Sequence, residues 1–173
     1  MFSEPIPERV SAVRFVDAGE RLAGALDPAH YKRLAEIATL LPGGTAELQG
    51  SRDPFGPQVV RGTLQCEVRL TCQRCLQPVD VVLSSDIRWG LARNEKAAGQ
   101  LDRELDPIVL DDGELWLRQA IEDELLLLVP IMPMHDMCDT GWTSDPEPES
   151  APARVSPFGV LSALKTEQGP KGE

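Results

Sequence analysis

The sequence has no apolar run of the roughly 20 residues that a membrane-spanning helix needs. The longest candidate, "ELLLLVPIMPM" at 124–134, is interrupted by Pro130 and Pro133. Aromatic residues are scarce, at 5%, so the core is expected to be mostly aliphatic. Basic residues are in the minority. Against 28 Asp and Glu there are 17 Lys and Arg, and the formal net charge is −11. No Lys/Arg cluster stands out. That argues against autonomous binding of bare nucleic acid, which depends on neutralising phosphates with a basic patch. A chain of this charge suits a basic partner, or is acidic for solubility alone. The opening "MFSEPIPERV" lacks the basic start and apolar stretch of a secretory signal, so a cytoplasmic location is expected. There thiols stay reduced.

Classical catalytic and nucleotide signatures are also missing. There is no GxSxG, no phosphate loop and no HxE ahead of a PCxxC, and only two histidines are present. Glu122, Asp123 and Glu124 are consecutive, so on a helix they point in different directions and make no converging acid–base pair. The chain is therefore read as not an enzyme.

What the sequence does contain begins with cysteine. In "LTCQRCLQPV" (70–79), Cys72 and Cys75 form a CxxC, and "MPMHDMC" (132–138) holds His135 and Cys138 at the same spacing. In a reducing compartment a CxxC points to metal or redox chemistry before it points to a structural disulfide. Structural zinc is usually closed and four-coordinate. Cys72, Cys75, His135 and Cys138 would supply a complete Cys₃His set, leaving no open position for water or substrate. Two other readings stand beside it. One is a redox pair, with Arg74 lowering a thiol pKa, although a thioredoxin-like pair would open a helix. The other is four packed or surface groups with no shared role. Cys66 falls on the apolar face of a strand and reads as a core residue. His30 reads as a surface residue.

The coarse fold reading is α+β: a small antiparallel sheet packed with two main helices, in a single domain over 1–138. Asp27 as N-cap and Pro28 at the first helical position predict a helix. It runs through "AHYKRLAEIATLL", with Tyr31, Leu34, Ile37 or Ala38, and Leu41 on one face, and stops at "PGG" (42–44). Residues 8–26 alternate loosely and predict short strands. Leu64, Cys66, Val68 and Leu70 alternate with polar residues in one strand. Val79, Val81 and Leu83 mark the next, which puts the CxxC at a hairpin turn. Residues 90–107 are polar and predict a long loop, and "IVLDDGE" predicts a short strand and a turn. The second helix carries Leu117, Ile121, Leu125 and Leu128 on one face and ends at Pro130. Leu126 and Leu127 beside them suggest burial on more than one side. Residues 139–173 are expected to be a disordered acidic tail. Within it, "SPFGVLSALK" (156–165) predicts a short amphipathic helix with Phe158, Leu161 and Leu164 three apart, either docked back on the body or held out for a partner.

Three stretches in this order, "LTCQRCLQPV", "IEDELLLLVPIMPMHDMC" (121–138) and "SPFGVLSALK", resemble the bacterial YceD family, the large ribosomal RNA subunit accumulation proteins. The matching positions are Cys72, Arg74, Cys75, Glu122, Asp123, Glu124, Pro130, Pro133, His135, Cys138, Pro157, Phe158, Leu161 and Lys165. The resemblance implies a role in ribosome biogenesis, with no enzymatic activity established for the family. The acidic charge then favours a basic ribosomal protein or a pre-ribosomal particle of the large subunit as partner over direct grip on RNA. Glu122, Asp123, Glu124, Phe158, Leu161 and Leu164 are the expected partner-binding residues. For the three carboxylates, the plainer alternative is a solvated helix face.

Overall fold

The computed structural model describes residues 4–52 and 56–138. The amphipathic segment expected at 156–165, with Phe158, Leu161 and Leu164, and the tail around it lie outside the described residues.

The chain opens with β1 (Val10–Ser11), α1 (Ala12–Asp17) and β2 (Arg21–Ala25). A 3₁₀ turn (Pro28–His30), α2 (Lys32–Ala35) and β3 (Thr39–Leu40) follow. The long strands are β4 (Thr45–Arg52), β5 (Gln58–Thr71) and β6 (Pro78–Ala92). The chain then forms α3 (Glu95–Ala98), β7 (Asp106–Val109), β8 (Glu114–Leu115) and α4 (Leu117–Leu128). Six strands make one mixed sheet in the order β2-β4-β5-β6-β7, with β3 also on β5. All pairs are antiparallel except β6–β7, which is parallel. β1 and β8 form a separate two-stranded pair.

This corrects the expected small antiparallel sheet with two main helices. Strands dominate, and α4 is the one long helix among the described residues. Three local misreadings explain the difference. First, the helix predicted from Asp27 breaks up. The Asp27 carboxylate does accept from the Ala29 N–H at 3.0 Å, and Pro28 opens the 3₁₀ turn. But Tyr31 sits at φ −111°, ψ 71°, outside the helical region, with its ring buried in the core. Thr39 and Leu40 then leave the helix to pair with Arg69 and Val68 of β5. Second, the predicted loop at 90–107 begins as the end of β6, holds α3 capped by the Asn94 side chain on the Ala97 N–H (2.9 Å), and ends in β7. Third, the short strands expected at 8–26 have α1 between them.

Other readings match. Leu64, Cys66, Val68 and Leu70 are buried on one face of β5 while Gln65, Glu67 and Arg69 are exposed. Val79 and Leu83 are buried on the same side of β6, with Val81 half-buried. Leu117, Ile121 and Leu125 of α4 are fully buried against this face. Leu127, by contrast, is 84% exposed, so α4 is not buried all round. In "LDDGE", Asp112 and Gly113 both take positive φ (47° and 80°), and the Glu114 N–H donates to Asp111 O at 2.8 Å. That is the two-residue turn that suits strand twist. Gly50 lets α1 lie directly on β4: a Cβ there would fall 2.4 Å from the Phe15 carbonyl oxygen.

Candidate metal centre

β5 and β6 pair along their whole length to Thr71↔Pro78. The six residues beyond that pair, Cys72–Gln77, form the tip. The Cys72 N–H donates to Gln77 O and the Leu76 N–H to Cys72 O, both at 2.9 Å. Leu76 takes φ 60°, the left-handed bend that closes the turn. The CxxC thus lies on the hairpin turn, as expected.

The second pair arrives from α4. Val129 is extended (φ −61°, ψ 122°) ahead of Pro130, which cannot continue the helix. The following loop is tied to the hairpin by backbone: the Gln73 N–H donates to Pro133 O at 2.8 Å. The His135 Nε2–H donates to Pro78 O at 3.0 Å. With the proton on Nε2, the Nδ1 lone pair faces the thiols, 3.4 Å from Cys75 Sγ. Cys72 Sγ lies 4.0 Å from Cys138 Sγ.

The four ligand atoms of Cys72, Cys75, His135 and Cys138 all lie within 4.8 Å of one another. A tetrahedral site with metal–sulfur bonds of about 2.3 Å has edges of roughly 3.5–3.8 Å, close to the 3.4 and 4.0 Å separations here. The donor set, three thiols and an imidazole lone pair facing inward, fits a thiophilic divalent ion. Cys72 is buried and the other three are half-buried.

The local electrostatics favour a thiolate at Cys72 and oppose one at Cys75. The Cys75 backbone N–H, followed by those of His135 and Arg74, holds the Cys72 thiol down to about 5, although burial opposes this. For Cys75 the Gln77 N–H acts downward. Burial and the neighbouring Cys72 and Cys138 sulfurs outweigh it and push the thiol up. Arg74 Nε donates to Cys138 Sγ at 2.7 Å. Three thiolates around a divalent cation leave one net negative charge, and this guanidinium offsets it. Cys66 stands apart in the core, its thiol pushed up to about 11 by burial. His30 is half-buried at the end of the 3₁₀ turn.

The acidic triplet is distributed around α4. Glu122 is buried, which corrects the solvated-face reading for this residue. Its Oε1 accepts the Arg33 and Leu34 backbone N–H groups at 2.7 and 3.2 Å, and its Oε2 accepts Arg33 Nε at 3.0 Å. It therefore caps the first turn of α2 from a different helix, satisfying donors left without partners there. Asp123 pairs with the Arg33 guanidinium, and Glu124 Oε1 accepts from Ser85 Oγ at 2.6 Å. Arg33 is the residue that sequence reading passed over. It sits 89 positions from Glu122 in the chain, and no local pattern marks it.

Comparison with known proteins gives two findings. Residues 60–165 match the family model described as large ribosomal RNA subunit accumulation protein YceD. A protein of Haemophilus influenzae, named large ribosomal RNA subunit accumulation protein YceD, is 32% identical over 158 residues. The alignment covers 86% of this chain and 91% of that relative. No solved structure gives a significant match.

Proposed function

The chain belongs to the YceD family, and on that premise we propose that it is a ribosome-biogenesis factor supporting the accumulation of large-subunit ribosomal RNA. The observation that carries this reading is the family match across 60–165. It acts without catalysing a reaction, through a protein partner. Its −11 charge disfavours direct grip on RNA and favours encounter with a basic ribosomal protein or a pre-ribosomal particle of the large subunit. Acidic residues of the α4 face and the 156–165 segment, with Phe158, Leu161 and Leu164, contribute to that encounter. It works in the cytoplasm. Among the described residues no helix is long and apolar enough to cross a membrane.

In this reading the Cys₃His centre holds zinc in a structural role. Thiolate and imidazole donors suit that ion, and four protein ligands complete its preferred tetrahedron. Bound there, zinc would pin the β5–β6 hairpin to the end of α4.

The test is genetic and biochemical together. Deleting the gene should lower the ratio of large- to small-subunit ribosomal RNA, and the intact chain should restore it. Affinity purification should recover large-subunit components. An unchanged ratio in the deletion strain would overturn the role. Tight, salt-sensitive binding to purified ribosomal RNA alone would overturn the protein-partner route. The lowered Cys72 thiol favours one competing reading, thiol redox chemistry. Metal analysis of anaerobically purified protein separates the two: one tightly held zinc with protected thiols supports the structural site, and metal-free reactive thiols support redox.

A further inference from the structure

A groove of about 660 Å³ runs between α4 and β7, well away from the hairpin tip in sequence and built from different residues. Its apolar lining includes Trp89, Ile108, Trp116 and Leu127. Leu127 of α4 is 84% exposed, a large apolar side chain in solvent. Every charged residue lining the groove is acidic: Glu95, Asp106, Asp111, Asp123 and Glu124. Two of these are already engaged, Asp123 by Arg33 and Glu124 by Ser85. Among the described residues, Glu95, Asp106 and Asp111 enter no ion pair, and all three are exposed.

We propose that this groove is the docking site for an extended segment of a partner protein in which Arg or Lys side chains alternate with apolar ones. The reading deepens the proposed function and rests on it. Apolar side chains of the segment would lie along Ile108 and Leu127, taking Leu127 out of water. Its cations would meet Glu95, Asp106 and Asp111, which form no ion pair among the described residues. Charge complementarity selects this occupant over nucleic acid, whose phosphates the same carboxylates repel. The chain's own Arg9 guanidinium sits 5.4 Å from the centroid of the Trp116 ring, so that indole contributes apolar wall and the carboxylates carry the cation recognition. The groove volume falls in the range of about 300–1,000 Å³ found for ligand sites, room for a few side chains and not for a whole domain.

The experiment uses the full chain and a fluorescein-labelled synthetic peptide, Arg-Leu-Arg-Val-Lys, read by anisotropy across a salt series. The triple variant Glu95→Gln, Asp106→Asn, Asp111→Asn should weaken binding by about tenfold or more, as loss of close opposite charges does. Leu127→Ser should also weaken it. A control triple on the open face of the sheet, Glu47→Gln, Glu67→Gln, Asp86→Asn, removes the same charge and should change affinity by less than about twofold. Unfolding curves confirm that each variant is folded. Equal loss in both triples would mean attraction to net charge alone and would overturn the site. So would no peptide binding, or equal binding of a peptide with Glu in place of Arg and Lys. Self-association abolished by the groove variants would assign the groove to a second copy of the chain and overturn it too. Failure here is separable from failure of the family role. A groove variant that still restores the ribosomal RNA ratio in the deletion strain removes the groove and leaves the role standing.

Discussion

At the scale of single residues, Glu122 carries more structure than its place in an acidic triplet suggests. A helix start exposes N–H groups with no partner in their own helix, and α2 has only four residues. The Glu122 carboxylate supplies the missing acceptor from α4 and holds Arg33 at the same time. Glu122→Ala should lower unfolding free energy by about 2 kcal/mol, because it strands buried donors of a charge-assisted bond. Glu122→Gln keeps one acceptor and should cost less. Arg33→Ala should cost less again, about 1 kcal/mol or below, since the Arg33 side chain is 49% exposed and solvent screens the pair. Urea titrations of the three variants check the order; an Arg33→Ala loss larger than that of Glu122→Ala would refute it. Cys72 supports a second expectation. Its thiol is depressed to about 5, so the fold favours the thiolate. That contribution is complete above the ordinary thiol value and is lost as pH falls through about 5. Metal binding also needs deprotonated ligands. Zinc should therefore be released on acidification, with the melting temperature falling in step. Zinc content and melting temperature that do not change as the pH is lowered would contradict the account.

At the scale of elements, the hairpin and α4 meet through a loop rather than by broad packing at the tip. The Gln73–Pro133 and His135–Pro78 bonds hold that loop, and the metal would add the strongest tie. Cys75→Ser should abolish stoichiometric zinc and lower the melting temperature, whereas Cys66→Ser should leave zinc content unchanged because Cys66 lies outside the cluster. Arg74→Ala should leave the fold intact and weaken metal affinity by about tenfold, as loss of an outer partner does. A chelator competition reads both. Gly50→Ala should be far more damaging than an ordinary strand substitution, because its Cβ would meet the α1 backbone rather than a side chain able to move aside. Much at this scale was legible. The period-two pattern of β5, the i, i+4, i+8 pattern of α4 and the Asp-Gly turn are local signals, set by neighbours in sequence. The helix expected after Asp27 was not, because its cap and proline were satisfied by a single 3₁₀ turn. Burial of Tyr31 and pairing of Thr39 and Leu40 with β5 then outweighed helix propensity.

At the scale of the whole molecule, the charge of −11 governs encounter more than fold. Association with large-subunit particles should weaken as salt rises from about 50 to 500 mM, through loss of long-range attraction between unlike charges. Binding unaffected by salt would point to a mainly apolar interface instead. The sequence by itself determined the two candidate ligand pairs, the hairpin that carries the first, the proline stop that delivers the second, and the family. Each of these is written in residue types at short spacing. Only the tertiary structure decided that β7 adds in parallel to extend the sheet, that Glu122 faces inward to α2, and that an acidic groove opens between α4 and β7. Those features join positions tens of residues apart. Their partners are chosen by burial and by the need to pair every backbone donor and acceptor, which no local pattern records.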